Sequence, residues 1–155
     1  MAQYTRLVVI HRQVILAAMP LNVPLNVYPA ATLTASNNGV FGILLVGGGA
    51  FITTLPGGGS TFVIEGNPIG VNAQQGAGVV VQSGPLSIQG NGVGLAGDGS
   101  GMLTVRAAAP HPAAISGNGL DVNLRFGARA TFDGVTIGSI TCDATVLSEG
   151  TTICP

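Results

Sequence analysis

Lysine is absent from this 155-residue chain, and so is tryptophan. Charged residues make up 7% of it, against about a quarter of an ordinary soluble protein. The five arginines stand singly, at Arg6, Arg12, Arg106, Arg125 and Arg129. No basic stripe therefore tracks a phosphate backbone, and no nucleic-acid partner is expected. No run of eighteen apolar residues occurs, so no transmembrane span is expected. Cysteine is confined to Cys142 and Cys154, and His11 and His111 lie far apart in sequence; these cannot complete a zinc set, and no metal is expected. Aromatics are 5% of the chain, which leaves few rings for stacking on sugars. Disorder is excluded by the 46% of apolar residues. Two readings of the missing charge stand: a composition that simply avoids lysine, or a surface covered in an assembly.

What is plentiful is glycine, 25 residues, and it falls in a repeated phrase. Ile64 to Asn72 reads IEGNPIGVN, Ile88 to Ala96 reads IQGNGVGLA, and Ile115 to Asn123 reads ISGNGLDVN. A weaker copy, LTASNNGVF, runs from Leu33 to Phe41, and the steps between copies are 31, 24 and 27 residues. A period of 20 to 50 residues marks a solenoid, whose units bury their apolar faces only against neighbouring units.

Within the three strong copies, apolar residues hold the first, sixth and eighth places: Ile64, Ile69, Val71; Ile88, Val93, Leu95; Ile115, Leu120, Val122. Spacing by two is strand alternation, and it predicts that Ile69, Val93 and Leu120 form one buried column and Val71, Leu95 and Val122 another. Gly-Asn at 66–67, 90–91 and 117–118 marks a bend, because these residues reach left-handed angles at little cost. Further strands follow the next glycines, at Val79–Val81, Leu103–Val105 and Ala128–Phe132. Others return to each copy's opening, at Phe62–Ile64, Leu86–Ile88 and Val135–Ile137. Val122 to Phe132 alternates without a break and reads as the fullest strand. The fold class is all-β: a short parallel β-helix of four to five coils.

This pattern resembles the right-handed parallel β-helix repeat proteins, the pectin-lyase-like and autotransporter-passenger-like group, over residues 33 to about 143. The resemblance implies that an asparagine at one corner of each coil stacks on its neighbours, which assigns a ladder to Asn67, Asn91 and Asn118. The weak copy offers Ser36 and Asn37 instead. A competing resemblance rests on Leu55 to Ile64 (LPGGGSTFVI) and a cysteine near the C-terminus. These look like the jelly-roll subunits of spore-appendage filaments and imply a β-sandwich.

The chain divides into an N-terminal arm or cap with a proline-rich linker (1–31), solenoid repeats (32–143) and a C-terminal cap (144–155). The arm carries Leu7, Val9, Ile10, Val14, Ile15 and Leu16, too apolar to stay exposed. It caps its own solenoid, adds a strand to a neighbour, or is a degenerate signal peptide. Cys142 and Cys154 are expected to pair, as close cysteines in a secreted chain do, which places the protein outside the cell or on a cell or virion surface.

No catalytic or cofactor-binding residue emerges. Glu65 and Asp121 occupy different places in the repeat, and Asp98 and Asp133 sit in glycine-rich corners, where Asp is ordinarily a turn former. GNGVG at 90–94 has no following helix and is no phosphate loop. Arg106, Arg125 and Arg129 are the only basic candidates for a lyase on this fold. The expected function is therefore a non-enzymatic structural protein, a self-assembling subunit of a fibre, coat or oligomeric spike that joins with copies of itself. The alternatives are a carbohydrate-binding or adhesive module and, third, a polysaccharide-active enzyme.

Overall fold

A computed structural model describes residues 14–17, 23–27, 32–48, 50–54, 61–82, 85–107, 111–150 and 154. The described chain is all strand and turn. Its first coil holds β1 (Val14–Ala17), β2 (Val23–Val27) and β3 (Thr32–Ser36). The second holds β4 (Phe41–Val46), β5 (Ala50–Thr54) and β6 (Thr61–Glu65). Then come β7 (Ile69–Gln74), β8 (Gly78–Val81) and β9 (Leu86–Gln89), followed by β10 (Val93–Asp98), β11 (Met102–Arg106) and β12 (Ala113–Ile115). Coil five is β13 (Leu120–Leu124), β14 (Arg129–Asp133) and β15 (Thr136–Ile137), and β16 (Ile140–Cys142) and β17 (Leu147–Gly150) begin a sixth.

Every third strand joins the same sheet. The first sheet runs β1-β4-β7-β10-β13-β16, the second β2-β5-β8-β11-β14-β17, and the third β3-β6-β9-β12-β15. All pairings are parallel. The chain is thus a β-solenoid. The jelly-roll alternative is overturned: Thr61–Glu65, the strand that suggested it, pairs in parallel with β3 and β9, whereas jelly rolls are antiparallel. Among the described residues no helix is long and apolar enough to cross a membrane.

Sequence spacing maps directly onto register in the strong copies. Ile64 pairs with Ile88, and Ile88 with Ile115; Val71 pairs with Leu95, and Leu95 with Val122. These six are buried, with Leu33, Leu45, Leu103, Val105, Leu124 and Phe132. Among Ile43, Phe62, Ile64, Val71, Val79 and Leu95 about 10 Å³ of free space remains, too little for a ligand there.

Four expectations need correction. Ile69, Val93 and Leu120 do stack, but they are half-buried; each lies at the strand end beside the asparagine corner. The eleven-residue strand is cut into β13 and β14, because Phe126 and Gly127 take φ of 55° and 74° and turn the chain. The weak copy is displaced by two residues: Ala35, not Leu33, pairs with Ile64. Asn37, at φ 54°, stands where Gly66, Gly90 and Gly117 stand at 66°, 65° and 72°, asparagine being the other residue that tolerates this conformation.

The fourth correction concerns residues 1–31. Val14, Ile15 and Leu16 belong to β1, which pairs with Ile43 to Val46 of β4, and β2 pairs with β5. The first coil therefore lies within the stretch expected to be an arm. With β16 and β17 beyond residue 137, the sheets hold six, six and five strands, against four to five coils expected. Leu7, Val9 and Ile10 lie outside the described residues.

Candidate functional site

Two corners of the coil carry most of the side-chain chemistry. At the corner leading into the first sheet, asparagines stack along the rod. Asn38 N–H and Nδ2 donate to Asn67 Oδ1 at 3.0 and 2.9 Å. Asn67 N–H and Nδ2 donate to Asn91 Oδ1, both at 3.0 Å, and Asn91 repeats the pattern to Asn118 Oδ1, both at 2.9 Å. The same amides also reach main-chain carbonyls: Asn67 to Ala35 and Glu65, Asn91 to Ile64 and Gln89, and Asn118 to Ile88. Asn67 and Asn91 are 2% and 3% exposed, so their polarity is met almost wholly inside the protein. A buried amide left unmatched would cost about 1–3 kcal/mol. Asn118 is the third residue of the expected ladder, and the fourth is Asn38 rather than Ser36 or Asn37.

Close approach of the corners demands glycine two residues into the first-sheet strands. A Cβ on Gly70 would lie 2.6 Å from Gly94 O and 3.2 Å from Asn91 Cγ; one on Gly94 would lie 2.6 Å from Asp121 O and 2.8 Å from Asn118 Nδ2. Each glycine thus leaves room for the asparagine of the following coil.

Asp121 occupies that place in the last such coil. Its carboxylate takes over the acceptor role of the next asparagine: Oδ1 accepts from Asn118 N–H at 3.0 Å and Nδ2 at 2.8 Å. Oδ2 accepts from Ser139 N–H and Oγ at 2.8 and 3.1 Å, while Asp121 N–H donates to Ser139 Oγ. Asp121 is 3% exposed. Burial pushes its carboxyl upward, but the bonds from Asn118 and Ser139 together outweigh that and hold it below the ordinary value.

The corner between the first and second sheets ends in the same way. There Gln75 N–H bonds Asp98 O, and Ser100 N–H bonds Phe126 O. Phe126 N–H then donates to Asp143 Oδ2 at 2.8 Å, and Gly127 N–H to Thr145 Oγ1 at 2.7 Å. The Thr145 hydroxyl, with the N–H groups of Phe126 and Thr145 and the nearby Arg125, lowers the Asp143 carboxyl. Arg125 also bridges Asp98 at 3.4 Å and lies 5.6 Å from the Phe126 ring centre. Both acids thus terminate a corner stack at the C-terminal end.

A pH dependence follows. Both folded-state values are depressed, so each acid adds stability above its unfolded value near pH 4, and that contribution is lost as pH falls through the lower folded value. Equilibrium denaturation across pH 2–6 should show stability dropping below about pH 4, with a shallower drop in Asp121→Asn. An unchanged acid limb in that variant would remove Asp121 from this role.

The remaining candidates lie apart. Cys142 and Cys154 form a disulfide with a Cα–Cα distance of 5.7 Å. Replacing both by serine should cost about 3 kcal/mol, read as a drop in urea midpoint; native material with two free thiols by mass spectrometry would contradict the pairing. Glu65 borders an open groove with Asn37, Gln89 and Ser116. Arg106 pairs in register with Asp133 on the second sheet, and both side chains are exposed, as is Arg129. Among the described residues no three of His, Cys, Asp and Glu gather as for a metal ion. Asp121 and Asp143 were missed as stack terminators in the sequence. The signal for the first was there: an acid in the place held by Gly70 and Gly94 in the earlier copies. Comparison of the chain with known protein families, curated proteins and solved structures finds no match.

Proposed function

We propose that this chain is a non-enzymatic structural protein, a self-assembling subunit of a surface fibre, coat or oligomeric spike. The observation that carries this reading is the chemistry of one outer face. On the third sheet the outward column is Thr34, Val63, Ser87, Ala114 and Thr136. This column holds no ionised side chain. A strip of small, uncharged residues suits packing against another subunit and does little to keep a monomer apart from its copies. The disulfide supports an extracellular or surface location.

Electron microscopy and analytical ultracentrifugation of the purified protein test this reading. Particles larger than one chain are expected, and a monomer at every accessible concentration would refute it.

A second reading, carbohydrate binding, is favoured by the groove beside the first corner. There Glu65 and Gln89 stand in register next to Gly66 and Gly90, with Ser116 and Gly117 beyond. Polar groups at strand spacing beside bare backbone offer hydrogen bonds to an extended polar chain. Glycan-array binding lost in Glu65→Ala with Gln89→Ala would favour it over assembly. An enzyme is less well supported: Glu65, Asp98, Asp121, Asp133 and Asp143 do not gather on one face, and Asp121 and Asp143 are engaged in terminating the corners.

A further inference from the structure

We propose that Asn91 and Asn118 are latent modification sites, at which an opened coil alters its own chain chemically and cannot close again. The ladder that stacks the coils is also what holds this chemistry off. A single chain suffices for it, whether or not the protein assembles.

The sequence supplies the reactive pairs. Asn38, Asn91 and Asn118 are each followed by glycine, at Gly39, Gly92 and Gly119, whereas Asn67 is followed by Pro68. In an asparagine-glycine pair the glycine main-chain nitrogen, unhindered by any Cβ, can attack the asparagine Cγ. A bond forms between that nitrogen and Cγ, and the Cγ–Nδ2 bond breaks. The amide nitrogen leaves as ammonia, carrying the proton that the glycine nitrogen gives up. Water then opens the cyclic imide at either carbonyl and leaves aspartate or isoaspartate. No oxidant or reductant takes part. Pro68 has no N–H to give up, so this route is closed at Asn67.

The fold itself requires the two glycines. A Cβ on Gly92 would lie 2.6 Å from Pro68 O, and one on Gly119 would lie 2.7 Å from Gly92 O. The corners stack too closely for a side chain there. Tight stacking therefore obliges Asn91 and Asn118 to carry the neighbour that makes asparagine most labile.

The folded state withholds all three parts of the reaction. Gly92 N–H donates to Asn67 O, and Gly119 N–H to Asn91 O, both at 2.9 Å, so each attacking nitrogen keeps its proton. Asn91 Nδ2 is held by Ile64 O, Gln89 O and Asn118 Oδ1, and Asn118 Nδ2 by Ile88 O and Asp121 Oδ1. Neither amide is free to swing toward the chain. Water is kept from Asn91, which is 3% exposed. Asn118 is half-buried and is the less protected of the two.

Conversion inside the stack is not undone by refolding. Aspartate in place of Asn91 still accepts from Asn67, but it sets an acceptor against three others: Ile64 O, Gln89 O and Asn118 Oδ1. A carboxylate fits where donors face both of its oxygens, as the Asn118 amide and the N–H and Oγ of Ser139 do for Asp121. Isoaspartate does worse, because it adds a main-chain atom at the corner and displaces the coil beyond it.

Peptide mapping by mass spectrometry tests this, on protein with its disulfide intact, kept at mildly alkaline pH either folded or in urea. In urea, Asn91 and Asn118 should convert at similar rates, and Asn67 should stay unchanged. In the folded protein Asn91 should convert more slowly by about 100-fold or more, as a site reached only through opening does, and Asn118 should convert faster than Asn91. Asp121→Ala removes an acceptor from Asn118 N–H and Nδ2; it should speed folded-state conversion at Asn118 and leave the rate in urea as it was. After dilution from urea, chains converted at Asn91 should fail to regain the β-sheet circular dichroism that unconverted chains regain. Equal rates at Asn91 with and without urea would overturn the protection. Converted chains that refold as well as the rest would overturn the irreversible step.

Discussion

Replacing Asn91 with leucine should destabilise the protein by about 3–5 kcal/mol, although side-chain volume hardly changes. Asn91 Oδ1 is the acceptor for both Asn67 N–H and Asn67 Nδ2, and its own amide reaches Ile64 O, Gln89 O and Asn118 Oδ1. Leucine leaves the Asn67 N–H without this acceptor inside the protein and removes a donor from two carbonyls. Buried polar groups orphaned in this way cost about 1–3 kcal/mol each. Asn67 Nδ2 keeps Ala35 O and Glu65 O, which limits the damage to its main-chain N–H and the carbonyl side. Urea unfolding of the variant against the parent measures the effect. A loss under about 1 kcal/mol would mean that water reaches this corner and that the stack is decorative.

Leu95→Ala should cost about 2–5 kcal/mol, as large-to-small changes in a filled core do. Leu95 is 1% exposed and lies between Val71 and Val122. Leu120→Ala should cost distinctly less, since Leu120 is half-buried at the corner. The contrast carries the argument. Both leucines occupy apolar places in the repeat, and only the position relative to the corner separates them. Equal losses would put Leu120 in the core and contradict the corner geometry.

Much of the architecture was legible because the strong copies repeat their turn chemistry. Gly66, Gly90 and Gly117 take left-handed backbone angles, so aligning them placed Ile64, Ile88 and Ile115 in true register. Where the turn used another residue, alignment failed. Asn37 serves as the left-handed residue in the second coil, and matching Gly39 to the repeat displaced that copy. The first coil was missed for a related reason: Val14–Ala17 and Val23–Val27 are not joined by glycine, and Pro20 and Pro24 read as a linker. Phe126 hid a corner, since an aromatic at positive φ resembles one more apolar step of an alternating strand. The Asn67–Asn91–Asn118 ladder could be named from the family resemblance alone. Its terminator was signalled only by an acid, Asp121, in the place that Gly70 and Gly94 hold in the earlier copies.

The solenoid ends its two corner stacks in carboxylates, Asp121 and Asp143. Its stability rests on corners as much as on the apolar interior, and the corners sit in turns, where backbone amides ordinarily exchange quickly. Native-state amide hydrogen exchange of Asn38, Asn67, Asn91 and Asn118 therefore tests the parallel solenoid and its ladder most directly. The main-chain N–H of each should exchange as slowly as those of Leu95 and Leu103 in the buried strands. Exchange within seconds at neutral pH, at the rate of open turns, would contradict the stacked corners and the coil register built on them.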